Sequence, residues 1–567
     1  MRDLVAQVVA SAERVGHDLR RERGTRSGDG RAQLDTSLQD PALWTAGTPR
    51  LNAVLRAAGS TRLTDAVHRA RPARRRSAAL AASLAGPVEI MLALGADDRV
   101  VPTGGRNSYR MPLVDESPRL RASSCTATPP DATVLRVAEQ WRDDLLARTL
   151  CDAAPTPVQW HTDIADRLVA ALGLDTAWAD RVLLSPSGTD VASLLTTLVQ
   201  GAHGRGVSVI TVGAREAGSG TIPAAGLSAF RDSAAYDIDL HCGEPLPGTH
   251  ADRVRVTDVE LRDAAGRIRR VSDVEAEIEA HIEYAVECDD AVLVHVMGGS
   301  KTGLCCPGVD WVRAWRQRTA HVRMVVDAAQ LRMPLRDLIG YLDAGASVLV
   351  TGSKALSAPP FCGALLLDED LAADAADFVA SGEGLPSGLA RSVSRADLPE
   401  FLSPLARGLE DVNVGLHARW HVALTEWQRY LSVPGPQRRH VVHSLLDGWR
   451  EGLSRLPGVQ VLPHHPGACP TILSVAVADG DQWVGKQRLA ETYARILDSP
   501  GVYIGQPVEL ANGAPAVLRL AVGAATVTRL VEDAARRGSL EEAVAEVVGV
   551  TTECFAGALP VGATEPG

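Results

Sequence analysis

Residues 325–367 read VVDAAQLRMPLRDLIGYLDAGASVLVTGSKALSAPPFCGALLL. The run opens on an apolar strand ending in Asp327. It passes through a helix-like segment from Leu331 to Ala344. A second apolar strand, Ser347–Val350, then delivers Thr351-Gly352-Ser353-Lys354. An aspartate and a lysine, 27 residues apart, thus stand at the ends of two buried strands. Buried charge is costly unless it is paired or put to use. Taken singly, each residue reads as the end of a core strand or as a surface lysine. Taken together they suit a ligand that needs one carboxylate and one amine.

Asp327-Ala328-Ala329-Gln330, Thr351-Gly352-Ser353-Lys354 and Pro359-Pro360-Phe361-Cys362-Gly363, in that order, resemble the fold-type I enzymes of pyridoxal 5'-phosphate (PLP). The likeness is to the class V aminotransferase and cysteine desulfurase branch in particular. It implies a lysine that holds the cofactor as a Schiff base and a carboxylate that keeps the pyridinium nitrogen protonated. Lys354 matches the first and Asp327 the second. Gln330 stands within reach of the ring's phenolic oxygen. At position 353 many desulfurase-like members carry His; this chain has Ser353, read here as a phosphate ligand.

A second motif precedes these. Residues 181–201 read RVLLSPSGTDVASLLTTLVQG: a short apolar strand, a Ser/Gly turn, then apolar positions at helical spacing. Free N–H groups and the positive end of the helix dipole suit an anion there. Glycine permits close backbone approach. Ser187, Gly188 and Thr189 are the candidate phosphate ligands. Alone, Ser-Gly-Thr before a helix is an ordinary N-cap; its order before the Asp327 and Lys354 motifs favours the phosphate reading, and it resembles the turn that opens the large domain of fold-type I enzymes.

Composition bounds the class. The chain has 567 residues, 46% hydrophobic and 22% charged, a globular mix with room for two to four domains. A net charge of −11 argues against nucleic acid as a partner. Nine cysteines without a CxxC pair point to a reducing, cytoplasmic setting, not a disulfide framework. No 18-residue uncharged apolar run predicts a membrane span.

Residues 1–91 read as a helical extension with polar breaks such as Arg26–Gly30; its arginine cluster (Arg69, Arg71, Arg74, Arg75, Arg76) reads as a solvated face. Residues 92–140 form a loop-rich segment carrying Arg106, Asn107, Tyr109, Arg110 and Ser123-Ser124-Cys125-Thr126. By resemblance this segment folds over the active site, with Tyr109 or Arg110 touching substrate; a plain connecting loop is the alternative. Residues 141–375 carry the PLP motifs and form the large domain. Helices are expected at 132–150 and 162–172, a hairpin at 253–272, a helix at 274–286 and a strand at 291–296. In the Gly-rich stretch Glu216–Thr221, where related families place a ring-stacking aromatic, there is none, so that role is unassigned. Met297–Gly303 and Pro307 resemble the class V element of strand, Ser-x-x-Gly and Pro (Ser300, Gly303, Pro307), whose loop faces the cofactor. Lys301 reads as a solvated loop lysine.

Residues 376–550 read as a smaller α+β C-terminal domain, with a long helical region at 400–456, strands at 459–462, 471–477 and 516–522, and Tyr503–Pro507 as a further active-site loop. Arg519 matches the position where fold-type I enzymes commonly hold the substrate α-carboxylate, for which an arginine fork is suited; a strand-edge arginine is the alternative. Residues 551–567 read as a tail.

Alternating strands and helices predict a mostly parallel, doubly wound α/β large domain, with ligands at the C-terminal strand ends. The resemblance implies a homodimeric, PLP-dependent enzyme acting on an amino acid or amine. An aminotransferase is the first reading. A lyase (elimination, desulfuration through Cys305, Cys306 or Cys362, or decarboxylation) is the second, though buried inert cysteines are the simpler view of those thiols. A PLP-fold binding protein without catalysis and a nucleotide-binding α/β protein are the readings of another class. The second lacks the GxGxxG and Walker signatures.

Overall fold

The computed structural model describes residues 80–559, apart from 81–82, 85, 101–104, 116, 118, 124–127, 151–152, 234, 236–239, 319–320, 464, 466–468, 481 and 512–514. The arginine cluster at 69–76, the break at 26–30, Ser124–Thr126 and the end of the tail lie outside the described residues.

In chain order the strands are β1 (Leu120–Ala122), β2 (Val182–Ser185), β3 (Val207–Val212), β4 (Val254–Val259), β5 (Ala291–Met297), β6 (Val322–Ala328), β7 (Ser347–Thr351), β8 (Gly363–Leu366), β9 (Val459–Val461), β10 (Ile472–Asp479), β11 (Gln482–Trp483), β12 (Val502–Glu509) and β13 (Ala516–Ala521). The longer helices are α1 (Ala132–Leu150), α2 (Pro157–Leu172), α3 (Gly188–His203), α4 (Val271–Glu287), α5 (Val309–Arg318), α6 (Leu335–Asp343), α7 (Glu369–Ala380), α8 (Val414–Ser432), α9 (Gly435–Ser454), α10 (Lys486–Asp498), α11 (Ala524–Arg537) and α12 (Leu540–Ala558).

Seven strands form the large sheet in the order β2-β8-β7-β6-β5-β3-β4. Neighbours from β7 to β4 pair in parallel, and β8 runs against both β7 and β2. Apolar side chains cover both faces, as continuous runs such as VLLS and SVLVT require. One face, with Val209, Leu293, Val325 and Leu349, packs on α3 and α7. The other, with Val294, Val326 and Val348, packs on α2, α4, α5, α6 and α8. Helix–strand alternation produces this mostly parallel α/β sheet, as the sequence predicts.

The second sheet, β1-β12-β13-β10-β11 with β9 on β10, is antiparallel except where β1 joins β12. Helices α9 to α12 cover it. Five local readings change. Residues 120–122, expected as loop, form β1. Residues 503–507, expected as a loop, lie within β12, which carries a register shift between Gly505 and Val508. The expected 253–272 hairpin is instead β4, a parallel edge strand, followed by a turn closed at Arg262 and Ile268. Helix α12 runs through position 550 to Ala558. The expected long helix at 400–456 is a 3-10 turn (Glu400–Ala406), α8 and α9. Among the described residues no helix is long and apolar enough to cross a membrane.

The segment behind Lys354 is tightly anchored. The buried Arg419 of α8 donates from Nε to the Phe361 carbonyl (2.6 Å) and from Nη1 to the Leu92 and Leu94 carbonyls (both 2.8 Å). Trp420 Nε1 donates to the Gly363 carbonyl at 3.1 Å. Gly352 has no room for a side chain: a Cβ there would lie 2.5 Å from the Ala423 Cβ and 2.8 Å from the Cys362 Sγ. Gly352→Ala should therefore cost about 1–3 kcal/mol. Chemical denaturation tests this; an unchanged midpoint would contradict the packing described.

Candidate active site

Asp327 closes β6 opposite Met297 of β5 and Leu349 of β7. Strand alternation turns its carboxylate to the same face as Val325, the α3 side. Its Oδ1 accepts from the Ala329 N–H at 3.0 Å, which fixes the carboxylate at the strand end. Beyond β7, Thr351 Oγ1 donates to the Ala329 carbonyl at 2.7 Å. That bond ties the segment leading to Lys354 to the one leading from Asp327.

The α3 turn faces the same space. Ser187 is the N-cap: its Oγ accepts from the Asp190 N–H (3.2 Å) and donates to Asp190 Oδ2 (2.5 Å). Burial pushes the Asp190 carboxyl up to about 6, against the opposing Ser187 hydrogen bond. Gly188 sits close to β7; a Cβ would meet Leu349 Cδ2 at 3.1 Å.

These elements enclose a cavity of about 550 Å³. Ser187, Gly188, Thr189, Asp327, Gln330, Ser353, Lys354, Arg519, Tyr109 and Arg110 all line it, so ten residues picked out along more than 400 positions meet in one place. Ser353 and Gln330 are buried. The Gln330 Oε1 faces Arg332 Nε at 3.4 Å. Arg519 is buried in the middle of β13. It donates from Nη2 and Nε to the Gln506 carbonyl (2.8 and 3.2 Å) and from Nη1 to the Lys301 carbonyl (3.4 Å), so it spans from the small sheet to a loop of the large one.

The loop after β3 is built around a carboxylate. Arg262 Nε donates to Glu216 Oε1 at 2.5 Å, and Ser300 Oγ donates to Oε2 at 2.7 Å; Thr302 Oγ1 also donates to Oε2. Ser300 is thus turned into this buried network, while Gly299 and Lys301 beside it line the cavity. Ala217, next to Glu216, presents only a methyl to the cavity.

Several lining residues escape the sequence reading, Arg99, Lys486, Tyr493 and His295 among them. Arg99 is held by Asp97 (2.5 Å) and lies over the Phe361 ring at 4.6 Å. Lys486 and Tyr493 come from α10. His295 of β5 faces the cavity with a buried Nε2 that has no partner among the described residues. Its one signal is a lone polar residue in the apolar run VLVHVM. Burial pulls its pKa down to about 4. Of the cysteines named in the sequence, Cys306 and Cys362 are unsuited to nucleophilic work, because burial pushes their thiols up to about 12. The Cys305 Sγ lies 3.8 Å from that of Cys469, and the hydrogen bond between them together with burial drives the Cys305 pKa up as well.

No family model matches this chain, and no curated protein matches it. Solved structures do. A NifS-like protein is 14% identical over 77% of this chain and 99% of its own, with a TM-score of 0.48. A cysteine desulfurase from Thermococcus onnurineus NA1 is 14% identical over 77% and 95%, TM-score 0.48. A ureidoglycine–glyoxylate aminotransferase from Bacillus subtilis is 12% identical over 77% and 98%, TM-score 0.47.

Removing the Glu216 carboxylate leaves Arg262 buried without its counter-charge. Glu216→Ala should destabilise the protein by about 3–5 kcal/mol, and an unchanged unfolding midpoint would contradict the network. The His295 shift carries a sign. Its folded pKa lies below the ordinary 6.5, so its contribution is intact above that pH and is lost as pH falls toward 4. Relative to His295→Leu, the wild type should lose on the order of 3 kcal/mol between pH 7 and 4. Parallel pH profiles for the two proteins would refute this.

Proposed function

We propose that this chain is a fold-type I, PLP-dependent enzyme acting on the α-carbon of an amino acid or amine, with amino transfer as its first reaction. The observation that carries the proposal is the convergence of Asp327, Lys354 and the Ser187-Gly188-Thr189 turn on one cavity at the C-terminal edge of a parallel sheet.

The residues present fit the cofactor. The N-terminus of α3, with the Ser187 and Thr189 hydroxyls and the close-packed Gly188, makes a cradle for a phosphate ester, and Ser353 adds a further hydroxyl. Asp327 would hold the proton of a ring nitrogen. Gln330, its Oε1 engaged by Arg332, leaves its amide N–H₂ for the phenolic oxygen. Bound there, PLP supplies an aldehyde that exchanges amines and a ring that accepts the electron pair released at the α-carbon.

The protein's part is positioning and proton transfer. Lys354 Nζ would hold the cofactor aldehyde and, once displaced by substrate, take the proton from the α-carbon and deliver it to the carbon of the former aldehyde, as amino transfer requires. Arg519 would hold the α-carboxylate, and Tyr109 would close the cavity mouth. The raised thiol pKa values of Cys306 and Cys362 weigh against sulfur transfer through these groups.

The test is spectroscopic. Incubated with PLP, the protein should show a visible absorption band that borohydride bleaches, leaving the label on Lys354; Lys354→Ala should show neither. Asp327→Asn should keep the band yet turn over roughly 10²–10³-fold more slowly. Absence of the band in the wild type would overturn the proposal.

A further inference from the structure

Resting on that reading, and on Arg519 as the seat of the α-carboxylate, we infer that the substrate is an amino acid whose side chain carries a second acidic group, a carboxylate or a phosphate, received by Arg110 and Lys486. Both side chains line the cofactor cavity, and neither makes an ion pair with another described residue. They come from segments far apart in the chain.

The Arg110 turn is built to hold its position. Asn107, itself buried, accepts at Oδ1 from the Tyr109 N–H (3.0 Å) and the Met111 N–H (3.1 Å). This places Arg110 in the left-handed region at φ 62°. For a residue with a side chain that conformation costs about 1–2 kcal/mol, and such strain gathers where function requires a geometry. The turn is docked on the helix that carries the other cation. Tyr493 OH donates to the Tyr109 carbonyl at 3.0 Å, and Arg106 pairs with Asp498 at 2.9 Å. Tyr493 and Asp498 both belong to α10, whose first residue is Lys486. That is the helix end where the dipole favours anions over cations, and the first turn of α10 has no acidic residue to offset Lys486.

Among the described residues the lining offers these cations no protein counter-charge. Its described carboxylates are Glu216 and Asp327. Glu216 is committed to Arg262, Ser300 and Thr302, and Asp327 to the ring nitrogen. A chain with a net charge of −11 nonetheless gathers cations at this mouth. A cleft of one sign concentrates the opposite charge, and an arginine fork and a lysine lining the same cavity suit either a carboxylate or a phosphate.

The PLP-loaded full-length protein can be titrated with L-aspartate, L-glutamate, O-phospho-L-serine, L-alanine and L-leucine, each followed by its shift of the visible band. At least one acidic amino acid should bind about tenfold or more tightly than L-alanine, with the advantage shrinking as salt is added. Glutamate or aspartate against phosphoserine separates a carboxylate from a phosphate. In the Arg110→Gln/Lys486→Gln double variant the ratio of acidic to neutral affinity should fall to about threefold or less, and Lys486→Arg should preserve it. Equal binding across the panel, or an undiminished ratio in the double variant, would overturn the inference while leaving the PLP reading intact. A protein that forms no visible band overturns both.

Discussion

The site depends on one register. Strands β6 and β7 run parallel with Asp327 opposite Leu349 and Ala328 opposite Val350. Parallel pairing brings both strand ends to the same edge, so the carboxylate and the segment leading to Lys354 emerge side by side. A slip of one residue in β6 would turn Asp327 to the other face, into the apolar layer of Val326, Val348 and Leu338. The hydroxyl bond from Thr351 to the Ala329 carbonyl extends the pairing past the last rung of the ladder. Behind it, Gly352 lets α8 approach closely enough for Arg419 and Trp420 to hold the turn after the lysine. A sheet buried on both faces thus sets the geometry of a polar site at its edge.

Much of this was legible along the chain, because buried parallel strands are written as unbroken apolar runs and their ends are marked by the residues that break the run. The C-terminal sheet was harder to read. Strand β12 contains Gly505, Gln506 and Pro507, and its ladder shifts there, so its local pattern looks like a loop. Strand β1 is three residues long and pairs with β12 across some 380 positions, a contact no local pattern announces. In β4 the alternation Val-Arg-Val-Thr-Asp-Val reads as half of a hairpin. It is instead the outer strand of the sheet, partly buried along its length apart from the exposed Arg255 and the buried Val259.

The site divides in the same way. Residues inside ordered motifs, from Ser187 to Lys354, could be named in advance because strand, turn and helix constrain them together. Arg99, His295 and Lys486 could not. Each is a polar residue whose neighbours in sequence say nothing of its neighbours in space, and only the fold, which brings the segments of Arg99 and Lys486 to the cavity that His295 of β5 lines, assembles them. The stretch 216–221, whose sequence shows no aromatic, also acquires a role. Glu216 there acts as a clamp, joining the turn after β4 to the loop after β5 through Arg262, Ser300 and Thr302.

Arg519 is shared between two bodies of the molecule. Its guanidinium is fixed to the backbone of β12 and reaches a carbonyl of the 301 loop. In the proposed reaction the same group receives the substrate's carboxylate. An anion arriving there competes with, or reinforces, the contact that joins the small sheet to the large one. By thermodynamic reciprocity, affinity for that anion and stiffness of the joint become two readings of a single coupling energy. A change that loosens the joint anywhere along its length is then felt as a change in affinity, without any residue of the cavity being altered.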